Sequence, residues 1–279
     1  MSGHERIAAI LQRFEAGRQA LRGPIVCRAV VGSTVNSIFR VSGTGMDWAV
    51  RVAVGPDDRL KVDRLAEYLA HETAARSRLA PAVVYSDPPA GVMVCQWIDT
   101  PSGGAGLFDS DAGLRRIGDA LRRLHGVPLP AGLREVNAYA AAQAYLPDPK
   151  VGSGPIPRAL YPRLLASCGP EDAPCAPRFC HNDLHGGNVL DDGQLWLLDW
   201  EYAGAGDPRF DLAGIVAYHD LDGASTAALL QGYGHHSMGD LDAWVVLFDL
   251  VRCLWMDVAD AWGLLPEAGR GALLARLRR

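Results

Sequence analysis

Residues 181–190 read HNDLHGGNVL, and nine residues later the chain reads DWEYAGAGDPRFDLA. His181, Asn182, Asp183, Asn188, Asp199 and Glu201 thus crowd between apolar runs, where polar groups are costly to bury unless something pairs with them. Asp183 and Asn188 stand in the spacing D-x-x-x-x-N, and Asp199 follows at the end of the apolar stretch QLWLLDW. Phosphoryl transfer needs this set: one carboxylate to orient and deprotonate an acceptor hydroxyl, then an amide and a second carboxylate to hold Mg²⁺ on nucleotide phosphates. Oxygen ligands suit Mg²⁺, which completes its shell with water and substrate phosphate. On this reading Asp183 is the base, and Asn188 and Asp199 are the metal ligands. Each residue alone is explained as well by a turn; the chemistry rests on their order between two strand candidates. His181 reads as a brace for the loop.

The elements that must position these residues fall into two parts. IVCRAVV, SIFRVSG and DWAVRVAV are β-branched, partly alternating runs broken by Gly-containing turns. The stretch DDRLKVDRLAEYLAHETAARS has an acidic start and good helix formers and ends before Pro81. Two more strand candidates, AVVYSD and GVMVCQWI, flank the turn PPAG, and DTPSGGAG reads as a linker. The expected fold is α+β, with a β-rich domain over residues 1–97 and a mainly helical one over 98–279. In the second, DAGLRRIGDALRRLH shows apolar residues at helical spacing, and DLDAWVVLFDLVRCLWMDVADAW reads as a long helix. Residues 146–178 are interrupted by Pro, Gly and Ser, apart from a short helix candidate near RALYPRLLAS.

Composition narrows the partners. With 49% apolar residues in 279, the chain can build an ordinary core. A net charge of -5 without a basic block argues against nucleic acid, and no run approaches the length of a membrane span. The opening MSGHERIAAILQRF mixes charge with apolar residues and reads as an amphipathic helix, not a secretion signal. The six cysteines are scattered without a C-x-x-C pair, which suits reduced thiols and a cytoplasmic protein. Zinc on Cys168, Cys175, Cys180 and His181 would need irregular spacing.

HNDLHGGNVL with LWLLDWEYAGAGDPRFDLA closely resembles the choline/ethanolamine kinase family, within the aminoglycoside phosphotransferase group. The resemblance implies a protein-kinase-like, two-lobed fold with ATP between the lobes. In it VVGSTVNSIFRV is similar to the phosphate-covering hairpin, with Gly32, Ser33 and Asn36 at the turn. The third strand supplies Arg51 where many kinases place Lys, as choline kinase-like members do. Its partner is expected to be Glu67, with Glu72 as the fallback. MVCQWI is expected to be the hinge, with backbone groups near Gln96 and Ile98 holding adenine.

The same resemblance places Glu201 and Tyr202 beside the acceptor alcohol. Aromatic walls attract quaternary ammonium groups by about 0.5–2 kcal/mol per contact, and Trp255 and Trp244 are candidates to join Tyr202. A helical stripe of Trp244, Phe248, Val251, Trp255 and Trp262 would equally suit a core-facing helix. Asp207, Arg209 and Asp211 read as architecture. Choline or a related amino alcohol is the leading acceptor; an aminoglycoside, sugar or thiamine, held by carboxylates such as Glu201 and Asp257, is the alternative, and a pseudokinase a further one.

Overall fold

The computed structural model describes residues 3–30, 36–54, 60–100, 106–167, 175–234, 241–264 and 267–277. Two short helices, α1 (Gly3–Leu11) and α2 (Glu15–Ala20), precede a five-stranded antiparallel sheet. Its strands are β1 (Ile25–Val30), β2 (Asn36–Gly43), β3 (Met46–Ala53), β4 (Val83–Asp87) and β5 (Val92–Gln96), in the order β1-β2-β3-β5-β4. Every strand expected from the alternating runs forms. The alternation sorts side chains onto two faces, as a pleated strand must. Val41, Val50, Val52, Val92 and Val94 meet Ile7, Ile10 and Leu11 of α1 in a small core. Asn36, Ile38, Ala49, Arg51, Met93 and Cys95 face a cavity on the other side.

Helix α3 (Arg64–Arg76) joins β3 to β4. It starts where Asp63 caps it, accepting from the Leu65 and Ala66 amides; Asp57 and Asp58, expected at its start, lie outside the described residues. Its buried Ala70 and Ala74, with Leu60, Leu79 and Ala80 around it, pack into the larger core of the helical part and not into the core beneath the sheet. The Leu197 amide also donates to Leu79 O over 2.7 Å.

After β5 the chain enters the helical part: α4 (Asp111–His125), α5 (Ala138–Tyr145), α6 (Tyr161–Ser167), α7 (Pro208–His219), α8 (Gly223–Tyr233), α9 (Leu241–Ala259) and α10 (Glu267–Arg276). Helices α4 and α8 lie so close that a Cβ on Gly118 or Gly232 would strike the other helix's backbone. Four short strands sit among them: β6 (Arg178–Cys180) pairs with β9 (Gly204–Gly206), and β7 (Val189–Asp191) with β8 (Leu195–Leu197). The stripe expected on α9 is shorter than the sequence suggests, because the helix ends at Ala259 and Trp262 lies in the following 3-10 turn. No described helix is long and apolar enough to cross a membrane.

Candidate active site

The loop between β6 and β7 carries Asp183, and Asp199 follows β8. Both Asn182 (φ 66°) and Asp199 (φ 64°) adopt the left-handed conformation, which Asn and Asp tolerate better than most residues. Such strain persists only where surrounding bonds impose it. At Asn182, Asp211 supplies them, its carboxylate accepting from the His181 amide at 2.8 Å and the Asn182 amide at 2.6 Å. His125 Nε2 lies 3.0 Å from Oδ2 of the same carboxylate, the oxygen that also takes the His181 amide. Burial alone would raise the Asp211 carboxyl, but the bonds from His125 and the amides outweigh it and hold it low. Asp211 therefore fixes the loop that carries Asp183, an architectural task carried out through backbone amides. Asp207 and Arg209 do cap α7.

His181 braces the loop as expected. Its Nε2 lies 2.8 Å from Leu198 O while Nδ1 accepts from the Asp183 amide at 3.3 Å, which assigns the proton to Nε2. Burial keeps the ring neutral, with its pKa below the usual value.

Asp183 lines the cavity, and its Oδ1 accepts from the Tyr218 hydroxyl at 3.0 Å. Burial, and next the Asp199 charge, push its carboxyl up to about 7. Asn188 donates from Nδ2 to Asp183 O at 3.0 Å, which leaves Oδ1 as the acceptor atom of its amide. Asp199 Oδ1 is buried without a hydrogen-bond partner among the described residues.

Around Asp199 the carboxylates of Glu67 and Glu201 come together, with ligand atoms all within 4.8 Å of one another. Arg51 Nη2 pairs with Glu67 Oε2 at 2.8 Å, joining the two residues expected to pair. Glu72 pairs with Arg76 on the helix surface instead. Arg64, one turn before Glu67, bridges Glu67 at 2.9 Å and Glu201 at 3.3 Å. Sequence reading missed Arg64, although its i,i+3 spacing from Glu67 is a readable sign. Glu201 is only 4% exposed; burial and then the Asp199 and Glu67 carboxylates push it up to about 8. Glu201 lines the cavity beside Tyr202, and its carboxylate shares Arg64 with Glu67.

These donors fit a hard divalent cation. Three carboxylates share one small space, one oxygen lacks a partner, and all the ligand atoms are oxygen.

The cavity encloses about 1030 Å³ between the sheet and the helices. Tyr202, Trp255, Tyr145, Tyr218 and Phe248 line it away from the sheet. Trp255 Nε1 donates to the Tyr202 hydroxyl at 2.8 Å, so these two expected residues meet. Trp244 is buried in the core, with the Arg209 guanidinium 4.8 Å from its ring centroid, and does not line the cavity. Asp257 does not line it either: fully buried, it accepts from Gly152 N, Gly154 N, Tyr161 Oη and Trp262 Nε1.

On the sheet side, Asn36 is not a turn residue but opens β2, its Oδ1 accepting from Arg51 Nη1 at 3.2 Å. Gly32 and Ser33 lie outside the described residues, as does Cys168 of the zinc alternative. Gln96 and Ile98 both line the cavity, but the Gln96 amide is spent on Ala82 O at 2.9 Å.

This arrangement has relatives. A 57-residue stretch is 44% identical to protein LicA of Haemophilus influenzae, spanning 20% of this chain and 21% of that one. A 129-residue stretch is 32% identical to streptomycin 6-kinase of Streptomyces glaucescens, spanning 45% of this chain and 42% of that one. The matched stretches thus span less than half the length of these relatives. Among solved structures, a choline/ethanolamine kinase family protein from Mesorhizobium loti superimposes with TM-score 0.74 at 26% identity, over 99% of this chain and 92% of that one. Choline kinase LicA from Streptococcus pneumoniae shares the fold, with TM-score 0.70 at 19% identity, over 97% and 98% of the two chains. The fold is therefore the α+β, two-lobed, protein-kinase-like one. Residues 26–247 match the phosphotransferase enzyme family, a stretch that takes in the sheet, the Asp183 loop and Asp199, and the chain belongs to that family.

Proposed function

We propose that this chain transfers the γ-phosphate of ATP, with Mg²⁺, to the hydroxyl of a small alcohol, an amino alcohol of choline type being the acceptor best supported. The observation that carries the reading is that Asp183 and Asp199, one bonded by Tyr218 and the other with an unpartnered oxygen, face the same cavity as the Arg51–Glu67 pair.

Each group then has a task. Asp199 and Asn188 would hold Mg²⁺, with Glu67 and Glu201 close by. The ion, when bound, draws charge from the phosphate oxygens. Arg51, fixed by Glu67 and Asn36, gives the phosphates a permanent cation. The sheet face carrying Ile38, Ala49 and Met93, with the chain at Gln96 and Ile98, supplies an apolar slot for adenine. Asp183 orients the acceptor hydroxyl and takes its proton as the bond to phosphorus forms. Tyr218 holds the carboxylate in position for that transfer.

Tyr202 and Trp255 form an aromatic wall of the kind that favours a methylated ammonium. An aminoglycoside has several primary ammonium groups that need acceptors, yet Glu201 is engaged by Arg64 and Asp257 is closed off in the core. The test is ADP release from MgATP across amino alcohols, thiamine, sugars and aminoglycosides. Turnover should be highest among the amino alcohols; preferred turnover of an aminoglycoside would reassign the acceptor, and none with any alcohol would remove the kinase reading.

A further inference from the structure

Among the described residues, three arginines line the cavity, and two have their partners. Arg51 pairs with Glu67, and Arg134 donates to the carbonyl oxygens of Ala203, Lys61 and Glu201. Arg252 differs. On α9, half-buried, it lays its guanidinium 4.2 Å from the centroid of the Tyr218 ring, and its Nε is buried without a hydrogen-bond partner. Asp249, one turn earlier on the same helix, is taken by Arg276 at 2.6 Å. Asp183, whose carboxyl feels the Arg252 charge, is bonded by the Tyr218 hydroxyl.

A guanidinium partly withdrawn from water is costly unless an anion completes it, and its planar fork is shaped for a carboxylate or a phosphate. Arg252 stands three residues before Trp255 on α9, so the two share a helix face. Tyr218 links the cation to the base: its ring lies under Arg252 and its hydroxyl on Asp183. We infer that Arg252 receives a carboxylate of the acceptor, so that the preferred amino alcohol also carries an acid, its ammonium resting on Tyr202 and Trp255 and its carboxylate on Arg252. One guanidinium matches the single charge of a carboxylate. A phosphate ester would bring nearly twice that charge close to Asp183 and Asp199. This rests on the cavity being the acceptor site of a kinase.

The experiment compares alcohols with and without a carboxylate: serine against ethanolamine, carnitine against choline, and lactate and glycerate against propanediol and glycerol. Binding is read by calorimetry and turnover by ADP release, for the parent, Arg252→Gln and Arg252→Lys, with melting temperatures to confirm folding. The acid should bind at least about tenfold more tightly than its partner in one or more pairs. Arg252→Gln should erase that ratio and Arg252→Lys keep part of it. Equal affinity within every pair, or a ratio unchanged in Arg252→Gln, overturns the inference. So does a fall in kcat by the same factor for all acceptors with binding unchanged, which would assign Arg252 to the transferred phosphoryl group. If acids bind through Arg252 but no alcohol is turned over, the kinase reading fails and the anion site stands. Turnover of choline without preference for acids leaves the kinase and removes the anion site.

Discussion

Tyr218 donates its hydroxyl to Asp183 Oδ1 over 3.0 Å, reaching the loop from a helix 35 residues further along the chain. The bond favours the ionised carboxylate, opposing the burial and the Asp199 charge that raise it. Asp183 accepts a proton only when ionised, so kcat/KM should fall as pH drops through about 7. Tyr218→Phe removes a lowering influence and should move this acid limb to higher pH. Asp183→Asn should lower kcat by about 10²- to 10⁴-fold while the protein still folds and binds nucleotide. A pH profile unmoved in Tyr218→Phe would show that the hydroxyl does not act on the base.

Asp199→Ala removes a carboxylate whose buried Oδ1 has no hydrogen-bond partner among the described residues. Metal-dependent tightening of ATP binding should disappear, since the Asn188 amide is neutral. Titrating nucleotide with and without Mg²⁺ checks this, and equal tightening in variant and parent would make Asp199 a structural residue.

Glu67 accepts from both Arg51 and Arg64 and is only 3% exposed. Removing one member of so buried a network leaves charge uncompensated, at a cost of about 3–5 kcal/mol. Glu67→Gln should therefore lower the melting temperature as well as ATP use, whereas Arg51→Ala should weaken ATP use with little effect on acceptor binding. Glu72→Gln, on the surface, should do neither.

Trp255→Leu keeps apolar bulk, removes the ring and leaves the Tyr202 hydroxyl without its donor. The KM for choline should rise by roughly tenfold, about 1.4 kcal/mol, and Trp255→Phe should recover much of the loss. Equal KM in Trp255→Leu and parent would place the indole outside the acceptor site.

Asp257→Ala takes the acceptor from four donors, the Tyr161 hydroxyl fully buried and the other three partly so. At about 1–3 kcal/mol for each unsatisfied group, denaturant titration should show a loss of about 3 kcal/mol or more.

Much of this was legible in the sequence, for identifiable reasons. Strands β1 to β5 announce themselves because their two faces meet different surroundings, so Val50 and Val52 alternate with Ala49 and Arg51. Asp183, Asn188 and Asp199 are readable because their spacing reflects one short loop and one strand end. Tyr218 and Arg252 are not, since each reaches the cavity from a helix whose sequence satisfies ordinary packing without them. The loop contacts of Asp211 and the buried place of Asp257 were hidden for a related reason. Their main partners include backbone amides, which have no residue identity, so an acid that organises a loop looks like one that caps a helix or faces a ligand. The contact between Glu201 and Arg64 was not legible, because the two stand 137 residues apart.

The helix that carries Glu67 is anchored by Ala70 and Ala74 in the same core as the helices below it, and by the Leu197 amide on Leu79 O. Swinging it outward would open that core and break a bond to the strand that precedes Asp199. Displacing this helix would therefore cost core burial as well as the Arg51–Glu67 pair. The Arg51–Glu67 pair is thus built into the packing that joins the sheet to the helices, and not carried on an element free of the core.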